Sequence, residues 1–196
     1  MTMKLYYTPG ACSLAGRIAL HEANIPATFD KVDLKTKKTE EGADFTAVNP
    51  KGYVPALVLD GGEMVTENIA VLSYIADQSP SLGVSGPLGR TKLIEMLAFI
   101  STEIHKAAKP FFKHAPDADK AQAREAIANR LDFIAKNMRG PFLFGEAFSV
   151  ADAYLFVNLR WARMFGVQLP AKISDYFARL MERGAVRTAL AEEGLS

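Results

Sequence analysis

Near residue 80 the chain changes its periodicity. Upstream, short runs of β-forming residues alternate with short amphipathic stretches; downstream, the apolar residues recur only at helical spacing. Between the two regimes, residues 78–89 carry Pro80, Gly83, Gly86, Pro87 and Gly89. That density of chain breakers marks a boundary between separately built layers. We place a first domain at 1–79, a linker at 80–89 and a second domain at 90–196.

In the first domain, Lys4-Leu5-Tyr6-Tyr7-Thr8 reads as a strand ended by Pro9-Gly10. Residues 13–23 read as a helix, with Leu14, Ile18 and His21 or Glu22 on one face, closed by Pro26. Residues 28–34 alternate like a half-buried strand, and the charged residues 35–44 read as a solvated loop or a short helix. The turn Asn49-Pro50-Lys51-Gly52 feeds a strand at 54–60. Gly61-Gly62 is a hairpin turn, 63–65 the returning strand, and 67–77 a helix with Ile69, Leu72, Ile75 and Ala76 inward. The order is βαβ followed by ββα, an α/β domain. The second domain is all-α. Leu93, Met96, Leu97, Ile100 and Ile104 form one stripe at helical spacing, Pro110 and Pro116 interrupt it, and a helix resumes at 117–138. Residues 151–165 are apolar on every side, as a central buried helix would be, and 176–190 closes the chain.

Charge removes several function classes. The 23 basic and 22 acidic residues leave a net charge of +1, too little field to recruit nucleic acid or an acidic membrane surface. No apolar run suits a signal peptide or a membrane helix, so a cytoplasmic protein is expected. The single cysteine, Cys12, excludes an intramolecular disulfide and any multi-cysteine metal site. With the three histidines dispersed at His21, His105 and His114, no metal is expected.

Cys12 follows a strand and a Pro-Gly turn where a helix begins. Unpaired N–H groups and the helix dipole favour an anion there, and a shift of about two units from about 8.5 would make the thiol largely ionised at neutral pH. The competing reading is an inert, buried cysteine. The motif is Cys12-Ser13-Leu14-Ala15 and contains no second thiol, so redox chemistry would need a thiol from outside the chain. Ser13 is either a second donor to a bound thiolate or an ordinary helix cap. Val54-Pro55 reads as an edge strand with a backbone that, with a cis bond, would turn outward to pair with an extended peptide; a simple edge proline is the alternative. Glu67-Asn68 opens a helix, where N–H groups suit a carboxylate and Glu67 an ammonium, or both residues merely cap it. His105 lies at the edge of the buried stripe, as a ligand-facing or a packed interface histidine. Lys106 and Lys109 are solvated charges or, for Lys106, part of an anion site. Ser149-Val150-Ala151-Asp152 fits a capping box with Asp in the usual Glu/Gln place and Phe148 at the staple position. Ser149 and Asp152 are read as structural, and Arg160 and Arg163 as interface or surface charges.

Taken in order, these segments resemble a cytosolic glutathione transferase, most closely the bacterial beta class. The likeness runs through Lys4–Leu14, Ala47–Leu57, Thr66–Ala70 with Tyr74–Asp77, Thr102–Lys106 and Ser149–Tyr154. It implies a thioredoxin-like N-terminal domain packed on a helical-bundle domain, a detoxifying homodimer, and glutathione as co-substrate. By position, Cys12 is the family's cysteine beside the glutathione sulfur and His105 the histidine that approaches it. Lys37, Val54, Glu67, Asn68, Thr102, Glu103 and Lys106 fall on glutathione-contacting positions, some of them serving the partner subunit, and Pro55 holds the peptide-binding edge. Asn68 stands where many transferases have serine, and Ala98 where close relatives have an asparagine. The partner molecule would be a small hydrophobic electrophile or a disulfide, the first held near Tyr7, Pro9, Ala108, Phe112 and Trp161. Two alternatives stand beside this reading: a non-catalytic ligand-binding or interaction protein of the same fold, and a glutathione-dependent dehalogenase or isomerase using Ser13.

Overall fold

The computed structural model describes residues 2–113 and 115–195; His114, one of the histidines weighed above, lies outside them. The first half contains β1 (Met3–Tyr7), α1 (Leu14–Glu22), β2 (Ala27–Asp33), β3 (Lys38–Thr39), α2 (Phe45–Val48), β4 (Ala56–Val58), β5 (Met64–Thr66) and α3 (Asn68–Gln78). They build a five-stranded sheet in the order β3-β2-β1-β4-β5. β1 and β2 run parallel, with Leu5 opposite Phe29, because α1 carries the chain back across the sheet. β4 and β5 are antiparallel, joined at Gly61-Gly62, where Gly62 has φ 92° and donates to Leu59. This is the thioredoxin-like arrangement.

In this first half, two details differ from the sequence reading. Residues 35–44 form turns and the short edge strand β3, not a helix. Thr39 is buried there and its N–H donates to Ala43, so backbone pairing overrides the charged composition. The added turn α2 is capped by Asp44, whose side chain accepts from the Thr46 N–H at 2.9 Å.

The second half is helical: α4 (Gly89–Phe99), α5 (Lys109–Phe112), α6 (Asp117–Asn137), α7 (Val150–Met164), α8 (Ala171–Met181) and α9 (Gly184–Glu192). The single closing helix expected at 176–190 is two helices, broken between Met181 and Gly184. The expected regular helix through Ile104 is also interrupted. After α4 the chain widens into a π-helical turn, Ile100–His105, then tightens into a 3-10 turn, Lys106–Ala108. Pro110 supplies part of the reason, since it offers no N–H to the carbonyl four residues back and its ring crowds that carbonyl. Ile100 and Ile104 stay buried through the irregular stretch.

Helix α7 is buried on all sides from Val150 to Leu159. The main apolar cluster runs without a break from Leu5, Leu14 and Leu72 through Leu97 and Leu155 to Leu190. The two halves therefore share one core, with α1 and α3 of the first packed on α7 and α9 of the second. Among the described residues no helix is long and apolar enough to cross a membrane.

Candidate active site

Where the sheet meets the helical half, a cleft of about 590 Å³ opens between the α1, β4 and α3 edge and the π-turn. Cys12, Val54, Pro55, Glu67, Asn68, Thr102, His105 and Lys106 all line it. Residues 12, 54, 55, 67 and 68 on one side and 102, 105 and 106 on the other are thus brought to one place from separate elements.

Cys12 is half-buried, and its Sγ lies 3.7 Å from the Val54 carbonyl oxygen. Burial pushes the thiol up to about 12; the backbone N–H groups of Cys12 and Ser13 pull it down, and the Glu67 charge adds to the rise. The expected lowering at a helix start does not occur. α1 begins at Leu14, and the loss of water costs the thiolate more than two N–H groups return.

The Val54–Pro55 bond is cis. Among the described residues no hydrogen bond reaches the Val54 N–H, leaving the backbone at this edge open. Lys37 stands behind it, its Nζ donating to the Gly52 carbonyl at 2.7 Å, and does not line the cleft.

Glu67 occupies a backbone conformation that side chains seldom adopt, φ 69°. Its carboxylate accepts from Lys51 Nζ and Tyr53 Oη, each at 2.6 Å, and these bonds hold it below the usual glutamate range. Lys51 and Tyr53 were not singled out as site residues; they lie 16 and 14 residues away and only the β4–β5 hairpin brings them together. Asn68 is buried, yet neither end of its amide has a hydrogen-bond partner among the described residues. Such an orphaned amide is costly in a closed core and is explained by a ligand that completes it.

Across the cleft, His105 Nδ1 is 2.7 Å from Tyr154 Oη. Its ring stands edge-on to Trp161, centroids 4.9 Å apart. Burial, with Lys109 nearby, holds the imidazole below its ordinary value and therefore neutral at pH 7. Burial also raises the Tyr154 phenol, which stays protonated. Tyr154 and Lys109 line the cleft as well. Tyr154 reads as core in the sequence because it sits on the all-apolar α7; its hydroxyl gives no periodic signal.

Besides Lys37, the expected residues Ser13, Glu103 and Tyr7 stand outside the cleft. Ser13 is fully buried, its Oγ accepting from the Thr8 N–H at 3.3 Å and lying 3.4 Å from the Thr8 carbonyl. It braces the loop and offers nothing to a thiolate in this conformation. Glu103 turns towards α6, where Arg130 holds it at 2.8 Å, and Thr102, at the rim, donates to the Ala98 carbonyl at 3.0 Å. Tyr7, expected near an apolar acceptor, is buried beneath the Arg17 guanidinium at 4.0 Å. Trp161 and Phe112 do meet edge-on, 5.2 Å apart, next to His105.

The capping box is in place and lies away from the cleft. Asp152 is fully buried and accepts from the Ser149 N–H and Oγ, the Leu143 N–H and the Tyr176 hydroxyl. Among the described residues no group of three or more His, Cys, Asp or Glu is placed to hold a metal ion.

Residues 10–78 match the family described as glutathione S-transferase, N-terminal domain, and residues 99–184 that described as glutathione S-transferase, C-terminal domain. The chain is 41% identical to glutathione S-transferase GstA of Escherichia coli O157:H7, over 98% of this chain and 100% of that one. Among solved structures it is similar to a sphingomonad glutathione S-transferase complexed with glutathione (46% identity, TM-score 0.90) and to a bacterial beta class glutathione S-transferase of Sphingomonas chungbukensis (45% identity, TM-score 0.91). Each alignment covers 98% of this chain and 100% of the other.

Proposed function

The chain belongs to the glutathione S-transferase family and is a glutathione transferase; on that premise we propose that glutathione lies along the Val54 edge with its sulfur between Cys12 and His105, and that Cys12 makes thiol–disulfide exchange one of its reactions. The observation that carries this reading is Asn68: a buried, unpartnered amide beside the Glu67 carboxylate, in the same cleft as the only thiol. The α-amino acid end of a γ-glutamyl peptide has the matching chemistry. Its carboxylate would take the Asn68 amide and the first N–H groups of α3, and its ammonium would take Glu67. The open Val54 backbone would pair with the cysteinyl unit, and Lys106 and Lys109 add positive charge on the facing wall.

In exchange, the Cys12 thiolate attacks one sulfur of a disulfide. That S–S bond breaks, the other sulfur leaves as a thiolate and takes a proton, and Cys12 carries the mixed disulfide. Glutathione thiolate then attacks that bond, forming a glutathionyl disulfide and returning Cys12. The thiol's raised pKa makes its proton the first obstacle. The incoming ligand is the means to lower it, by bringing donors and the neutral His105 imidazole to the sulfur pair. Conjugation uses the same cleft with an electrophile in place of the disulfide, and the Trp161–Phe112 aromatic surface suits a flat apolar one.

We also read the protein as a cytoplasmic homodimer. A second groove of about 720 Å³, with exposed Leu88 and Phe133 at its rim, offers an apolar surface to a second copy. A solution mass twice that of one chain checks this.

Intact-protein mass after incubation with oxidised glutathione tests the Cys12 role. A single glutathione adduct is expected on the native protein and none on Cys12→Ala. Cys12→Ser should lose disulfide exchange while conjugation stays measurable; equal loss of both would overturn the division.

A further inference from the structure

Two residues before Cys12, Gly10 is held from both sides by the helical half. Its N–H donates to Glu193 Oε2 at 2.8 Å, and its carbonyl accepts from Trp161 Nε1 at 2.8 Å. Gly10 has φ 70°, so the loop turns sharply between these two anchors. Glu193 lies just past α9 and is buried. None of the roles described above uses it, and a carboxyl is an expensive group to bury for packing alone.

We propose that Glu193 is a positioning residue for the reactive loop: with Trp161 it clamps the peptides on either side of Gly10 and so sets where the Cys12 thiol sits against His105. This rests on the reading of Cys12 as the reacting thiol. The clamp continues directly to the site, because the Trp161 ring that holds the Gly10 carbonyl also packs on His105. Glu193 therefore couples the last helix to both walls of the cleft.

The clamp is also incompletely satisfied. Arg17 Nε of α1 is 3.3 Å from Glu193 Oε1, yet that oxygen has no hydrogen bond among the described residues. Arg17 is shared with Glu192, at 2.8 Å, which His21 also contacts at 2.8 Å. From α7, Arg160 adds attraction, and from α9 itself Glu192 adds repulsion. Burial outweighs the Gly10, Arg17 and Arg160 contributions and pushes the carboxyl up to about 7. Relative to the unfolded chain, its contribution to stability is therefore full at acid pH and is lost as the pH rises through about 7. Locally the ionised form grips the Gly10 N–H harder, as a charge-assisted bond.

Trp161 is the only tryptophan, so its fluorescence reports the clamp directly. Emission followed from pH 5.5 to 8.5 should show a transition near pH 7 in the native protein, absent in Glu193→Gln and kept in His105→Gln. Glu193→Ala should slow Cys12-dependent exchange on the order of tenfold, as for one lost hydrogen bond to a charged group, through kcat, with the KM for glutathione held. Unchanged Cys12-dependent exchange in Glu193→Ala, or a transition that persists in Glu193→Gln, overturns the proposal. If the variants do not fold, protection of the native Gly10 amide decides it: a Gly10 amide that exchanges at its intrinsic rate overturns the clamp. Failure of the Cys12 reading would show separately, as unchanged exchange in Cys12→Ser.

Discussion

The capping box at the start of α7 and the Asn68 corner of the cleft are both buried and polar, and they are built on opposite terms. At the box, every oxygen of Asp152 has a donor. At the corner, Asn68 has none at either end of its amide among the described residues, and Glu67 beside it sits at positive φ. Buried polar groups are normally paired, and the exceptions call for an explanation. The box explains itself as structure: it joins the loop at Leu143, the start of α7 and Tyr176 of α8. The corner has no such explanation within the chain, and strain and unmet bonding coincide where a ligand would supply the partners.

The contrast can be broken at its strongest point first. Asp152→Ala leaves four donors facing a cavity. It should destabilise the protein by about 3–5 kcal/mol, read by denaturant unfolding, with glutathione affinity unchanged in the fraction that folds. If the loss stays below about 1 kcal/mol, the box is no more than an ordinary helix cap. Asn68→Leu should do the reverse. Replacing an unpartnered amide by an apolar group of like size leaves stability equal or up to about 1 kcal/mol higher, while glutathione affinity falls roughly tenfold. A stability loss without an affinity loss would place Asn68 with Asp152. The smallest effect should come from Tyr154→Phe, two residues along α7 from Asp152. It removes one hydrogen bond and frees the His105 ring, so the pH profile of turnover should shift while stability falls by no more than about 1 kcal/mol. An unmoved profile would assign Tyr154 to packing.

The same contrast explains what could be read in advance. The capping box is a contiguous four-residue pattern, and its partners are set by helix geometry, so Ser149 and Asp152 were legible as structural. The wall formed by Cys12, Val54, Pro55, Glu67 and Asn68 was half legible: each marks the start of an element, where cap and turn chemistry serves structure equally well, and the resemblance to glutathione transferases chose the ligand-binding reading. The facing wall, with Thr102, His105 and Lys106, was named through the resemblance alone. Regular helical spacing puts His105 at the edge of the buried stripe, and the widened π-turn at Ile100–His105 seats it in the cleft. Glu103 shares that segment yet points to Arg130, a partner 27 residues away.

By itself the sequence determined the order of the main strands and helices of the first half, the change to an all-helical chain beyond it and the buried α7, and it missed β3, α2 and the break between α8 and α9. What it determined follows from local sterics and from short-period burial, which act between near neighbours in the chain. The tertiary structure alone decided that the two halves share one core, that Ser13 faces Thr8 and that Tyr154 reaches His105. It also decided that the Cys12 thiol is raised and that Glu193 holds Gly10 across 183 residues. Desolvation and long-range hydrogen bonding depend on everything packed around a group, and a linear pattern carries no measure of that surrounding.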